Sequence, residues 1–324
     1  MYLLKRSLYI CSALLFSAFL TGCDSGSPPA KSWKYAAQGI LSADLSGESE
    51  KAVIGSIHHG GSLWDTQKGE RLFNWNHKAG EYSTFRAVAL SGDGKVACTT
   101  EHDALGVWNA DTGESLAFWR APDKVLALSV SDTGRYALMS LPNNTVSYFD
   151  LKIGQGLFLF DHDAPVWSLD FSAEANRAIT GSDDMIARVW DLSNGQLLHQ
   201  FEHKNQIKSV AISPDGRYGF SAAQREDTII WDLNSGKVKR KLDFRYVNFT
   251  AARFSERGDK LLLGTFQGQL HLIDVNSGKT LKTWHSKPRQ FWGASASKAI
   301  MSVGFGRGNT YYGLSSDGIM GLYK

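Results

Sequence analysis

From residue 31 onward the chain alternates short apolar runs with clusters of turn-forming residues. Val210–Ser213, Tyr218–Ala222 and Thr228–Asp232 are examples, rich in Val, Ile, Phe and Tyr and bounded by Gly, Pro, Asp, Asn or Ser. Runs of this length with turns on both sides predict β-strands. The i, i+3, i+4, i+7 spacing of an amphipathic helix is not sustained anywhere after residue 30. The chain reads as all-β.

The runs recur with a period. The segment Ser209–Leu242 aligns almost without gaps to the one starting at Ser168. A Trp-Asp pair or its equivalent returns at Trp64-Asp65, Trp108-Asn109, Phe149-Asp150, Trp190-Asp191, Trp231-Asp232 and Ile273-Asp274, in steps of 44, 41, 41, 41 and 42 residues. A Gly follows at a fixed offset: Gly69, Gly113, Gly154, Gly195, Gly236 and Gly278. A second turn falls at Ser91–Lys95, Ser131–Arg135, Ser213–Arg217 and Ser255–Asp259. Four strands per unit make one antiparallel sheet, and sheets repeated at this period pack around an axis as a β-propeller. A degenerate unit from Ala294 to Lys324 is the seventh, so seven blades are expected. That unit stops where a third strand ends. Ser32–Gln38 precedes the first unit and has strand composition, so 32–38 is expected to pair with 318–323 and complete the last blade, which hides a sheet edge.

These repeats resemble the WD40 family, and the resemblance covers residues 32–324. It implies a ring whose outer closing strand comes from the N-terminal segment and whose faces hold partners. His162, Thr180, Asp184 and Trp190 match the structural tetrad of that family, which implies hydrogen bonds in the order Trp, Thr, His, Asp. The donors and acceptors suit it, since an indole N–H only donates and a carboxylate accepts. Blade two offers His77, Thr99, Asp103 and Trp108. Blade five keeps His203, Ser221 and Trp231, with Gln224–Asp227 at the acidic position. Blades one, three and six lack the set. Because the repeat accounts for all four positions, they are read as structural and not as an acyl-transfer triad.

No catalytic residue, metal site or cofactor is expected from the remaining motifs. A Gly-rich phosphate loop, an HExxH helix and paired Cys ligands are all missing from the sequence. The repeat of quinone-dependent enzymes resembles D-x-x-T-G-x-x-x-W. Here Trp119 stands six residues after Gly113, which is strand spacing for a WD40 unit. The adjacent His58 and His59 read as a solvated loop. The basic run Lys237, Lys239, Arg240 and Lys241 reads as charge guarding an exposed strand edge, with contact to anionic lipid as the second reading.

The N-terminus changes the picture of where the ring sits. Lys5 and Arg6 precede the uncharged run Ser7–Leu20, which is too short for a spanning helix of ~20 residues. Leu20-Thr21-Gly22-Cys23 resembles the bacterial lipobox, which implies cleavage before Cys23 and acylation of that residue. Asp24 resembles the signal that retains lipoproteins in the inner membrane. The expected organisation is a signal peptide over 1–22, a tether over 23–31 and the propeller over 32–324. Removing 22 of the 324 residues leaves 302 and lowers the formal charge from +3 to +1, since Lys5 and Arg6 leave. Such balance does not suit a nucleic-acid binder. Of three cysteines, only Cys98 stays as a free thiol, in an apolar stretch.

One position can be followed around the ring by aligning the units on the Ser that ends the first strand. Five residues before it stand Leu41, Arg86, Leu126, Trp167, Lys208, Thr250 and Trp292. Lys124 lies seven before it in its unit, and Tyr246 lies beside the position in the sixth. Trp and Arg are over-represented where proteins bind tightly. Arg86, Lys124, Trp167, Lys208, Tyr246 and Trp292 are therefore the expected partner-binding face. The function expected is a lipid-anchored, non-enzymatic scaffold for envelope proteins on the periplasmic side of a bacterial membrane. The alternative is a small ligand or cell-wall sugar held in the channel.

Overall fold

A computed structural model describes residues 26–56, 60–77, 80, 83–286 and 299–324. It holds seven four-stranded antiparallel sheets. Blade one runs from Ile40 to Trp75, two from Ala87 to Arg120 and three from Ala127 to Asp161. Blade four covers Val166–Glu202, five Ile207–Leu242 and six Phe249–His285. Blade seven takes three strands from Ile300–Tyr323 and its fourth, β1, from Lys31–Lys34. The innermost strands of successive blades pack against each other all the way round, including blade seven against blade one. The architecture is a closed seven-bladed propeller.

Closure follows the expected route but with a shorter strand. Lys31 pairs with Leu322, Ser32 with Gly321, Trp33 with Met320 and Lys34 with Ile319. Beyond Lys34, Tyr35 N still donates to Gly318 O at 2.7 Å while its ring stacks on Trp64 of blade one at 4.4 Å and 12°. The segment read as tether also joins the ring earlier than expected. Ser27 forms a parallel bridge to Trp284 on the outer strand of blade six.

The core is divided among the seams. Seven buried clusters among the described residues each combine two consecutive blades. At one seam Ile179, Val189 and Phe201 of blade four meet Ile207, Ile229 and Trp231 of blade five. The repeated Trp has a fixed place in these seams. Trp108, Trp190 and Trp231 stack on Trp75, Phe160 and Phe201 from the outer strand of the preceding blade. Tyr35 on Trp64 repeats the arrangement across the closing seam. Such pairs contribute about 0.5–1.5 kcal/mol beyond the area they bury.

The Asp after the Trp and the Gly four residues beyond its position are explained by one turn. The Asp191 carboxylate accepts from Ser193 N at 2.8 Å, and Gly195 N donates to Asp191 O at 2.8 Å. Gly113 takes φ +80° at the same place, and a Cβ there would sit 2.5 Å from the Phe73 ring of blade one. The turn thus needs Gly both for its backbone and for the neighbour that lies on it.

A comparison isolates these two needs. Gly308 has φ +67° with open space around it. Gly308→Ala is expected to cost only backbone strain, about 1–2 kcal/mol. Gly113→Ala must also displace Phe73 and is expected to cost about 2–4 kcal/mol, read from urea unfolding of both variants.

Candidate functional site

The loops that enter each first strand and those joining second to third strands lie at one end of the ring. The rim position sits there because the first strands of blades one and four to seven carry a register shift at their start, as between Val166 and Ser168, while in blades two and three it immediately precedes the strand. Trp167, inside that irregularity, projects outward and is 47% exposed. Its Nε1 donates to Asp183 Oδ2 at 2.9 Å, and Lys208 Nζ of blade five donates to Asp183 Oδ1 at 2.6 Å. Two expected rim residues are thereby joined across a seam by a carboxylate the sequence reading passed over. Arg86 is exposed, Lys124 half-buried, and Tyr246 is 78% exposed with φ +59°.

The expected position of Trp292 needs correction. Trp292 itself lies outside the described residues, as do Cys23, Asp24, His58 and His59. In blade seven the register shift falls between Ile300 and Ser302, so Met301 is the residue equivalent to Trp167. The alignment failed because the polar run ending in Ser297-Lys298 imitates the turn after a first strand. The actual turn is Arg307–Asn309, beyond the strand Ile300–Gly306.

Two apolar residues of the same end were also missed. Met185 and Phe266, in the turns between second and third strands of blades four and six, are 44% and 49% exposed. Their signal was an apolar side chain in a turn, where Asp, Asn or Gly is usual. With Trp167 and Tyr246 they place four large apolar groups on blades four and six, with Lys208 of blade five between.

The tetrads below the rim depart from the expected order. Trp190 Nε1 donates to Thr180 Oγ1 at 2.9 Å, but Thr180 Oγ1 then donates to Arg188 O at 3.4 Å. Arg188 stands between His162 and Asp184, donating at 2.8 Å to His162 Nδ1 and at 2.5 Å to the Asp184 carboxylate. His162 Nε2 is buried without a partner. Burial, and then the Arg188 charge, pulls His162 down to about 4. Blade two keeps Trp108 to Thr99 at 2.8 Å and His77 to Thr99 at 2.9 Å. There the carboxylate beside His77 Nδ1 is Glu101, at 3.9 Å. Asp103, the expected member, is taken by Arg120 at 2.8 Å. In blade five Trp231 and His203 both bond Ser221, at 2.7 and 2.8 Å. In all three blades the Ser or Thr hydroxyl accepts the indole N–H of the Trp that packs into the seam.

The channel wall carries a charge pattern of its own. The position two residues before each strand-ending Ser is small in several blades (Ala89, Ser129, Ala211) but is Asp44, Asp170 and Arg253 in others. Arg253 of blade six reaches blade one, donating to Asp44 Oδ1 at 2.8 Å and to the Leu45 and Ser46 carbonyls at 2.7 and 3.0 Å. Blade seven has Gly304 at the intervening position, leaving that path open. Burial raises Asp170 to about 7, against two backbone N–H bonds and the more distant Arg253 charge that lower it.

Residues 155–191 and 195–232 match the family model described as WD domain, G-beta repeat. The fold is a seven-bladed WD40 propeller. Each matched stretch begins on or just before the outer strand of one blade and ends with the third strand of the next. The WD40 repeat therefore straddles a seam, and β1 opens the first repeat just as Gln155–Asp161 opens the fourth. The chain is 27% identical over 107 residues to U3 small nucleolar RNA-associated protein 12 of Saccharomyces cerevisiae, covering 32% of this chain and 11% of that protein. It is 26% identical over 148 residues to WD repeat-containing protein SL1-17 of Schistosoma mansoni, covering 45% of this chain and 48% of that protein. The match thus spans less than half the length of each relative.

The buried histidines provide a pH test. His162 and His203 titrate near 4 in the fold, against 6.5 when exposed. Between those values the unfolded chain binds more protons, so their contribution is complete above pH 6.5 and is lost as pH falls toward 4. Asp170, raised to about 7, acts oppositely and weakens the fold as pH rises from 3.8 through 7. Imidazole resonances of His162 and His203 are expected to inflect near pH 4. His203→Gln is expected to flatten the loss of stability below pH 6.5, measured by urea unfolding across that range.

Proposed function

We propose that this WD40 propeller is a non-enzymatic protein-interaction scaffold, tethered through acylated Cys23 to the bacterial cell envelope and facing the periplasm. The observation that carries the interaction role is the rim itself. Trp167 is exposed yet fixed by Asp183, and Lys208 is fixed by the same carboxylate. A large aromatic held in place before binding loses little conformational freedom on binding, which is the economy of a hot spot. Arg86 and Tyr246 extend the face on either side. The non-enzymatic reading rests on the histidines and hydroxyls below the rim, whose bonds serve the seams. The anchor reading rests on the motif Leu20–Cys23 and the uncharged run before it, and Asp24 favours the inner membrane.

Two measurements test the two halves separately. Metabolic labelling with a palmitate analogue is expected to mark the wild-type chain and to lose the mark in Cys23→Ser. Crosslinking in cells, followed by capture from solubilised envelope, is expected to yield a defined partner set with wild type. That set is expected to disappear with Arg86, Trp167 and Tyr246 all changed to Ala, in a protein whose circular dichroism is unaltered. Retention of the same partners by the triple variant moves the binding face away from the rim.

A further inference from the structure

The strap formed by Ser27 limits how far the ring can stand from its anchor. Ser27 N donates to Thr283 O at 3.2 Å and His285 N donates to Ser27 O at 3.0 Å, holding this residue on the outer strand of blade six. Cys23 is four residue steps along the chain from Ser27. A fully extended chain covers at most ~3.6 Å per residue, so Cys23 lies within about 14 Å of that strand by any path. The free tether is thus much shorter than the expected one over 23–31. An acylated Cys23 brings the bilayer surface close to the edge of blade six, and to blades five and seven beside it.

The outer strands show a charge asymmetry around the ring. On blades five, six and seven they read KVKRKL, TLKTWH and KSWK, with seven basic residues and no acid. On blades one to four they read ERLFNW, SLAFWR, QGLFLFD and LLHQFE, with two Arg against Glu70, Asp161 and Glu202. Lys31, Lys34, Lys237, Arg240 and Lys282 are exposed, and Lys279 adds a further charge at the foot of blade six. Asp227 offsets Lys241 at 2.8 Å, and Lys239 lies over the Tyr218 ring at 4.4 Å. Guarding a strand edge requires a charge on every blade. It does not account for a basic set confined to the three blades around the strap.

We propose that the outer edge of blades five to seven is a docking surface for an anionic phospholipid bilayer, so that the ring lies edge-on to the membrane with both faces accessible. The inference rests on the acylation of Cys23 proposed above. Basic groups held within about a screening length, ~8–10 Å, of an anionic surface are attracted to it, and the strap brings these within reach. The rim on blades four to six is then presented sideways to membrane-bound partners, neither pressed against the lipid nor turned away from it.

The test uses the full acylated chain reconstituted on phosphatidylcholine vesicles with or without phosphatidylglycerol. A fluorophore is attached at Thr280→Cys on blade six or at Leu159→Cys on blade three, and energy transfer to a dye at the vesicle surface is read. Cys98 does not compete, being fully buried with its thiol pushed up by that burial. Transfer is expected to be several-fold stronger from blade six than from blade three on anionic vesicles. The ratio is expected to fall on neutral vesicles, in high salt, and when Lys237, Arg240, Lys279 and Lys282 are all changed to Gln. Wild type on the two vesicle types tests the charge effect even where the fourfold variant folds poorly. Equal transfer from both labels, a ratio unmoved by anionic lipid, or stronger transfer from Leu159→Cys overturns the proposal. The mass of the same sample separates the two readings: a missing acyl adduct at Cys23 overturns the anchor, whereas acylated protein with equal labels overturns the docking edge alone.

Discussion

The stacking of one blade's aromatic on the next blade's Trp is the contact on which this ring depends. A four-stranded sheet with two apolar faces cannot bury either of them alone. Each blade therefore takes half its core from the neighbour on each side, and the last seam must close or two blades are left open. Trp108, Trp190 and Trp231 lie in the middle of such seams, each covered by an aromatic of the preceding outer strand. Tyr35 extends the rule to Trp64, which explains why the strand that completes blade seven belongs to the start of the chain. Arg253 adds a polar tie over the same closure, reaching past Gly304 to Asp44. Ser49, fully buried with φ +55°, fills the space against Gly304 and donates to Phe305 O at 3.0 Å.

The polar network under the seams follows a hierarchy of need. A buried indole N–H has no alternative to donating, so its Ser or Thr acceptor is kept wherever the Trp sits deep in the seam. The histidine beyond is less constrained. It bonds the hydroxyl in blades two and five, and in blade four Arg188 binds its other nitrogen. The acid is the least constrained member, being Asp184, Glu101 or the more distant Asp227 according to blade. That gradient matches exposure, because the far end of the network approaches solvent, where water can substitute for a missing partner.

The proposed binding face lies at the end of the ring where loops are free of this packing. Trp167 escapes the seam because the register shift at the start of its strand turns it outward, and Asp183 then fixes it. The same shift in blade seven puts Met301, not Trp292, at the equivalent place. A displaced first strand is invisible to a repeat alignment when a Ser-Lys pair imitates its turn. The position was thus legible in blades one, four, five and six, where Leu41, Trp167, Lys208 and Thr250 fall inside the shift, and misread in the seventh. Asp183 was missed because nothing local marks a turn carboxylate that reaches across a seam, whereas Met185 and Phe266 carried a local signal, an apolar side chain in a turn.

The sequence by itself determined the strand order, the number of blades and the need for an N-terminal closing strand. Those properties follow from spacing, since turn residues at fixed offsets and a forty-residue period leave few ways to arrange the strands. It also placed the Trp, Ser or Thr, and His of three seams, because each belongs to the repeat. Tertiary structure alone decided which carboxylate faces each histidine, that Arg253 crosses to blade one, and that Ser27 straps the chain to blade six. These contacts join residues distant in sequence, by 258 positions for Ser27 and His285, and their partners depend on the reach of particular side chains and backbone segments. A period in the sequence records what every blade shares; it carries no information about the single contacts by which one seam differs from the next.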